Sequence, residues 1–251
     1  MKKFMYLWCA FALFAFAGCS SDKDEWGNDS QEADSKSEEI FLAQANMSPE
    51  FSKGYKNSQK QYSTNKEENG TEVVRDNRGM VMSVGFNDTP IRYRPSTPEE
   101  FIATYLGVDL KANFMLYRQE QDEYGYTHER YIQYYKGVEV ENRGYVFHYN
   151  QDVRITYVNG SYLPVTDLDV MPAFSEKTAR KIFAKYLNLP VERIVDNVSL
   201  YIVDFPLSAE SEQWAPRLVY KLGVEFASDE GLCYIDAKTG RILYVWSNYT
   251  T

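Results

Sequence analysis

Tyr149-Asn150-Gln151-Asp152-Val153-Arg154-Ile155-Thr156-Tyr157-Val158 closes one half of the chain, and Ile235-Asp236-Ala237-Lys238-Thr239-Gly240-Arg241-Ile242-Leu243-Tyr244-Val245 closes the other. Each stretch runs an apolar strand end, a polar turn, then Arg-Ile-x-Tyr-Val. Upstream of each, the same order of signals recurs: helix cap, helix, strand, strand, hairpin, over residues 97–158 and again over 175–245. Self-similarity of this kind predicts two like units packed together. Neither copy carries a catalytic set, so the repeat speaks to fold more than to function.

The helix signals are physical. Thr97 can cap, Pro98 fits the first turn, and Glu99 and Glu100 favour the positive helix end. Phe101, Ile102, Tyr105 and Leu106 form one apolar stripe that Gly107 closes. In the second copy Ser175 caps, Ala179, Ile182, Phe183, Tyr186 and Leu187 keep helical spacing, and Asn188 with Pro190 stops the run. Alternation predicts strands at Met80–Phe86, Ile91–Arg94, Phe114–Gln119, Arg130–Val140, Tyr145–Tyr149 and Arg154–Val158 in the first copy. It predicts Val198–Phe205, Arg217–Phe226, Leu232–Asp236 and Arg241–Trp246 in the second. Both second strands run from an Arg to a Gly-Val pair, Gly137-Val138 and Gly223-Val224. A helix laid across an antiparallel sheet buries its stripe on one sheet face, which makes the expected class α+β with two tandem helix-on-sheet units.

The first residues read as a targeting segment. Lys2 and Lys3 precede an apolar run, Phe4–Ala17, which is too short to span a bilayer comfortably. It ends in Ala17-Gly18-Cys19, which resembles a bacterial lipobox and implies lipidation of Cys19. The acidic stretch that follows, Ser20-Ser21-Asp22-Lys23-Asp24-Glu25, resembles the surface-export signal of Bacteroidetes lipoproteins. The expectation is an outer-membrane lipoprotein at the cell surface, with a periplasm-facing anchor as the alternative. Residues 1–18 are then a leader and 19–70 a lipidated, flexible tether of polar composition, in which Ile40-Phe41-Leu42 and Phe51 are apolar exceptions that can dock locally. The two units fall at 71–168 and 169–251.

Charge and cysteine content exclude several classes. Of 27 basic residues, Lys2 and Lys3 leave with the leader, and 25 against 36 acidic residues gives a net charge of −11. That argues against nucleic acid as a partner, and against membrane contact other than through the N-terminal lipid. Cys9 and Cys19 are spent in processing, which leaves Cys233 in an apolar strand pattern as an inert buried thiol. The two histidines, His128 and His148, are not at zinc spacing, and no cofactor is expected. Glu99 with Glu100, and Glu139 with Glu141, read as solvated charges rather than acid–base pairs. Tyrosine is the unusual residue, 21 in all. Tyr131 and Tyr135 are expected to share one face of a long strand with Gln133, and Tyr134 to take the other.

Arg130-Tyr131-Ile132-Gln133-Tyr134-Tyr135-Lys136-Gly137-Val138-Glu139-Val140 resembles the core of the fungalysin/thermolysin propeptide domain. Arg130, Gln133, Gly137 and Val140 match that family's spacing. Glu139 stands where the family has proline, and Glu141 where it has a small residue. In the second copy, Asp236-Ala237-Lys238-Thr239-Gly240-Arg241-Ile242 resembles the turn of a PepSY domain. Together the resemblances span roughly 75–247 and imply a cystatin-like α+β fold for each unit. In secreted metallopeptidases of the thermolysin kind such a pair assists folding of the catalytic domain and blocks its active site. No His-Glu-x-x-His follows here.

The resemblance therefore implies a stand-alone, non-enzymatic module that acts on a secreted thermolysin-type peptidase or another polypeptide in trans, as inhibitor or folding chaperone. The alternative is a surface lipoprotein whose tyrosines take glycan or peptide for nutrient capture or adhesion. Candidate binding residues are Tyr131, Gln133, Tyr135, Gly137 and Val140, while Arg130, Asp236 and Gly240 carry the motif match. Gly137 is expected to allow a bend or a close backbone approach within the strand.

Overall fold

A computed structural model describes residues 38–43, 49–51, 62–194, 197–208, 211, 213–226 and 229–247. The leader and Cys19 lie outside the described residues. The strands are β1 (Tyr62–Lys66), β2 (Glu72–Asp76), β3 (Val81–Gly85), β4 (Phe114–Gln121), β5 (Thr127–Tyr135), β6 (Val138–Tyr149), β7 (Ile155–Ser161), β8 (Val198–Pro206), β9 (Trp214–Phe226), β10 (Asp229–Asp236) and β11 (Ile242–Ser247). Helices among the described residues include α1 (Pro98–Leu106), the single turn α2 (Leu110–Asn113) and α3 (Glu176–Leu187), and residues 38–43 are helical as well. The architecture is mixed α+β on one eleven-stranded sheet, ordered β1-β2-β3-β7-β6-β8-β9-β10-β11, with β5 and then β4 branching from β6.

Both long helices form where their caps and stripes require. Thr97 Oγ1 accepts from Glu100 N–H at 3.2 Å, and the Glu100 carboxylate takes the Ser96 N–H at 2.7 Å. Gly107, at φ +69°, closes α1. Ser175 Oγ accepts from Thr178 N–H at 3.3 Å, and Asn188, at φ +54°, closes α3. Phe101 and Ile102 of α1 lie fully buried among Val84, Phe86, Tyr145, Phe147 and Val158. Ala179, Ile182 and Phe183 of α3 lie among Ile202, Leu218, Leu222, Cys233 and Ile235. Each fully buried side chain of this size contributes roughly 1.5–3 kcal/mol, so these two clusters dominate stability.

The halves of the sheet meet at a narrow seam. β6 and β8 run parallel over two register pairs, Glu139 with Tyr201 and Val140 with Ile202. The other strand pairs are antiparallel. Two backbone pairs are a weak joint, and side chains reinforce it. Val140, Leu163 and Val165 of the first half are buried in the α3 cluster. Arg78 Nη1 lies 2.6 Å from Asp204 Oδ2, with Arg143 Nη2 at 3.8 Å from the same oxygen.

Four expectations change. Residues 130–140 are not one strand: Lys136 and Gly137, at φ +48° and +82°, make a two-residue hairpin between β5 and β6, the pattern of a type I′ turn. Gly223, by contrast, lies inside β9, opposite Leu232, so the two Gly-Val pairs are not equivalent. Ile91–Tyr93 is a 3₁₀ turn, not a strand, with Ile91 and Tyr93 exposed and the chain pinned where Arg94 Nε donates to Thr89 O at 2.7 Å. β1, at Tyr62–Lys66, lies inside the stretch expected to be a flexible tether. All five β1 residues are exposed, so its sequence carries no alternation to read.

Phe41 and Phe51 of the polar N-terminal stretch are docked. Phe41 packs 4.6 Å from Phe174 beside the α3 cluster, and Phe51 joins Phe205, Val219 and Leu243 in a third cluster.

Candidate functional site

β5 carries most of the residues singled out from sequence, and the structure spreads them apart. A register shift between Ile132 and Tyr134 breaks their common face. Tyr131 packs edge-on against Phe147 in the α1 cluster, centroids 5.5 Å apart, and its hydroxyl is pushed up to about 12 by burial and then by Glu129. Tyr135 packs against the α3 cluster instead. Between them Gln133 is buried, and its amide is spent on one residue: Oε1 accepts from Leu163 N–H at 2.9 Å and Nε2 donates to Leu163 O at 2.6 Å. This paired bond fixes where the chain leaves β7. Val140 is fully buried at the seam. Gly137 has open space where a Cβ would stand, so the turn needs its backbone angle and not a close approach.

Asp236 and Gly240 are turn residues as well. Asp236 Oδ1 accepts from the backbone N–H of Lys238 and Thr239, each at 2.9 Å, and Gly240 takes φ +76°. Arg130 stands exposed on β5, opposite Arg118 of β4. Like charges directly opposite are unfavourable, and Arg118 is offset by Glu120 at 2.5 Å.

Glu141 reverses its expected role. It is not a solvated charge: its side chain is 6% exposed, with Oε1 2.5 Å from Lys221 Nζ and Oε2 accepting from Tyr234 O–H at 2.6 Å. Both partners come from the second half of the chain, which local sequence cannot reveal. Its neighbour Glu139 is held above the usual carboxylate range by burial and then by Glu141, with Lys221 opposing. The two glutamates at which the sequence departs from the propeptide pattern thus build the seam.

β4 is the part that sequence reading passed over. It pairs with β5 alone, so among the described residues its outer edge is open. Met115, Leu116 and Tyr117 on it are all exposed, Tyr117 at 68%. Unpaired backbone groups beside apolar side chains are what an incoming extended chain can use. The run Phe114-Met115-Leu116-Tyr117 gave a signal, in that four successive large apolar residues exceed what one buried face can take. Nucleophilic chemistry has little here: Cys233 is fully buried and burial pushes its thiol up.

Residues 112–162 match the model of the Fungalysin/Thermolysin Propeptide Motif. That stretch is the end of α2 and the four-strand meander β4–β7. No curated protein matches the chain. Among solved structures, the Bacillus megaterium YpeB C-terminal domain is similar at 11% identity, over 88% of this chain and 98% of that one. Its TM-score of 0.34 is too low to inform the fold. The chain therefore contains a propeptide-like segment, and the family match reaches no further than its residues.

Proposed function

We propose that this chain is a non-enzymatic polypeptide-binding module that acts in trans on a secreted thermolysin-type peptidase, as inhibitor or folding aid. It would be tethered at the outer membrane, on the cell-surface side, by lipid on Cys19. One observation carries the reading: the segment that matches the propeptide motif presents β4, whose outer edge is open among the described residues, with Met115, Leu116 and Tyr117 exposed. A partner strand added there gains main-chain hydrogen bonds, and the apolar side chains select it. Arg118 and Arg130, side by side across β4 and β5, would favour an acidic partner residue. The likeness of Asp236–Ile242 to a PepSY turn supports a second propeptide-like unit, and the two capped helices, each on its own cluster, support the tandem cystatin-like arrangement.

The test mixes the lipid-free chain from Ser20 with a secreted thermolysin-type peptidase of the same organism. Inhibition, or a higher refolding yield of the denatured peptidase, is expected, and Leu116→Lys with Tyr117→Lys should abolish it while leaving the circular dichroism spectrum unchanged. Neither effect on any co-encoded peptidase would refute the proposal.

One feature favours the capture reading as runner-up. Tyr117, Tyr124, Tyr126 and Tyr157 are exposed on and beside β4, β5 and β7, and rings so placed suit glycan stacking. Glycan binding that is lost in Tyr124→Ala and Tyr126→Ala, without any peptidase effect, would decide for it.

A further inference from the structure

β11 carries a defect with a use. The register of β10 on β11 jumps from Tyr234–Tyr244 to Ile235–Ile242, so Leu243 has no partner on β10. A bulge residue left out of the ladder keeps a carbonyl for another backbone. Here Phe51 N–H donates to Leu243 O at 2.9 Å, and Glu50 N–H donates to Ile242 O at 3.0 Å. The same two residues are also read by their side chains. Glu50 Oε1 lies 3.4 Å from Arg217 Nη2, and its Oε2 lies 3.6 Å from Arg241 Nη1. The Phe51 ring stacks on Phe205, centroids 5.5 Å apart at 18°, with the Arg217 guanidinium 5.8 Å over it and Val219 and Leu243 completing the pocket.

Arg217 and the ring pocket have contacts that do not involve Glu50-Phe51. Arg217 Nη2 also donates to Pro206 O and Leu207 O at 3.3 and 3.2 Å, and its Nη1 faces Asp236 at 3.9 Å. Phe205, Val219 and Leu243 are fixed by their strands. Two arginines that converge on one carboxylate are a local positive spot on a chain of net charge −9. The occupant is joined there by two backbone bonds, one ion-paired carboxylate and one ring. So slender an attachment opens more readily than the core strands beneath it.

We propose that this face of β11 is a docking site for a polypeptide turn bearing an acidic residue followed by an aromatic one, as Glu50 and Phe51 are, and that Glu50-Phe51 is its resident, displaceable occupant. The site lies at the end of the sheet away from β4 in strand order and goes beyond the peptidase reading. Acid and ring are both required: the arginine pair selects the carboxylate, the Phe205 pocket selects the ring, and the bulge carbonyls set the backbone.

The experiment uses the lipid-free chain from Ser20 and a fluorescein-labelled decapeptide of residues 46–55, Asn-Met-Ser-Pro-Glu-Phe-Ser-Lys-Gly-Tyr, read by anisotropy. The double variant Glu50→Ala/Phe51→Ala, which vacates the site, should bind the peptide about tenfold tighter than the wild type, because the resident segment otherwise occupies the site for most of the time. Adding Arg241→Glu should remove that binding, and a peptide with Arg in place of Glu50 should restore it. If the double variant fails to fold by circular dichroism, Glu50→Ala alone serves as the vacated protein. Equal binding to wild type and vacated protein, no binding to either, or binding indifferent to Arg241 overturns the proposal. None of these results depends on peptidase inhibition, so the two ideas fail separately.

Discussion

The turns before the two Arg-Ile-x-Tyr-Val runs solve one geometric problem with different residues. In the first, the Asn150 side chain accepts from the N–H of Asp152 and Arg154, and the left-handed position falls on Val153 at φ +58°. In the second, the Asp236 side chain accepts from Lys238 and Thr239, and the left-handed position falls on Gly240 at φ +76°. A β-branched residue in that region is strained, whereas glycine is not. The hydrogen-bonded polar residue that opens the turn was therefore kept in both halves and the glycine in one. The surroundings differ to match: Val153 is 75% exposed, while a Cβ on Gly240 would stand 3.0 Å from Phe41 and 3.5 Å from Ile182. The second turn is packed under the N-terminal segment and α3. The first hangs in solvent, where strain is all that a residue there costs.

Truncating the helix anchors puts this comparison under its largest load. Phe101 of α1 and Phe183 of α3 are both buried to 1% exposure or less. Phe101→Ala and Phe183→Ala should each cost about 3–5 kcal/mol in urea unfolding. A cost under about 1 kcal/mol at either would mean that its helix does not hold its half of the sheet.

The seam comes next in size. Glu141→Ala removes the carboxylate that binds Lys221 and Tyr234 across the halves. Charge-assisted hydrogen bonds of this kind make the expected loss about 1.5–3 kcal/mol. Lys221→Met in the same background should recover part of it, because it removes the charge left without its carboxylate. No change in stability would show that the halves are held by the buried Val140, Leu163 and Val165, by the β6–β8 pairs and by Arg78 and Arg143 on Asp204, without help from Glu141.

The turns themselves should move in opposite directions. Gly240→Ala adds left-handed strain of about 1–2 kcal/mol and a contact with Phe41. Val153→Gly should stabilise by up to about 1 kcal/mol, since relief of strain exceeds the entropy that glycine adds to the unfolded chain. Melting temperatures that shift the same way for both variants would break the comparison.

Much of the fold was legible because it is local. Thr97, Gly107, Ser175 and Asn188 mark helix ends through their own backbone chemistry, and in β10 the buried Cys233 and Ile235 alternate with the partly buried Leu232 and Tyr234. What was missed depends on distance along the chain or lies without a core face. β1 is exposed throughout, and the Lys136-Gly137 turn is only two residues long between strand-forming residues on both sides. Glu141 looked solvated because its partners lie 80 and 93 residues away. Of the candidate binding residues, Gln133 and Val140 turned out to face the interior, and Met115, Leu116 and Tyr117 drew no notice because only the sheet order leaves β4 at an edge.

The smallest expected effect sharpens the seam by pH. Glu139 faces Tyr134 across β5 and β6 and Tyr201 across β6 and β8, with Glu141 and Lys221 close by. Burial first, and Glu141 second, hold its carboxyl above its ordinary value of 4.5, with Lys221 opposing. A carboxyl whose folded pKa is raised binds its proton more tightly in the folded than in the unfolded state. Its contribution to stability is therefore full below about pH 4.5 and is lost as pH rises through the window between the unfolded and folded values. Glu139→Gln keeps the shape and removes the titration. The urea midpoint of the variant should exceed that of the wild type near pH 7 and converge with it near about pH 4, where both side chains are neutral. The contrast with Glu141 is the point of the measurement: Glu141 is bound by Lys221 and Tyr234, whereas burial and Glu141 favour the protonated form of Glu139. A midpoint difference that stayed constant from pH 4 to 7 would mean that Glu139 titrates as it does in the unfolded chain, and that the seam is wetter than its neighbours Tyr134 and Tyr201 make it.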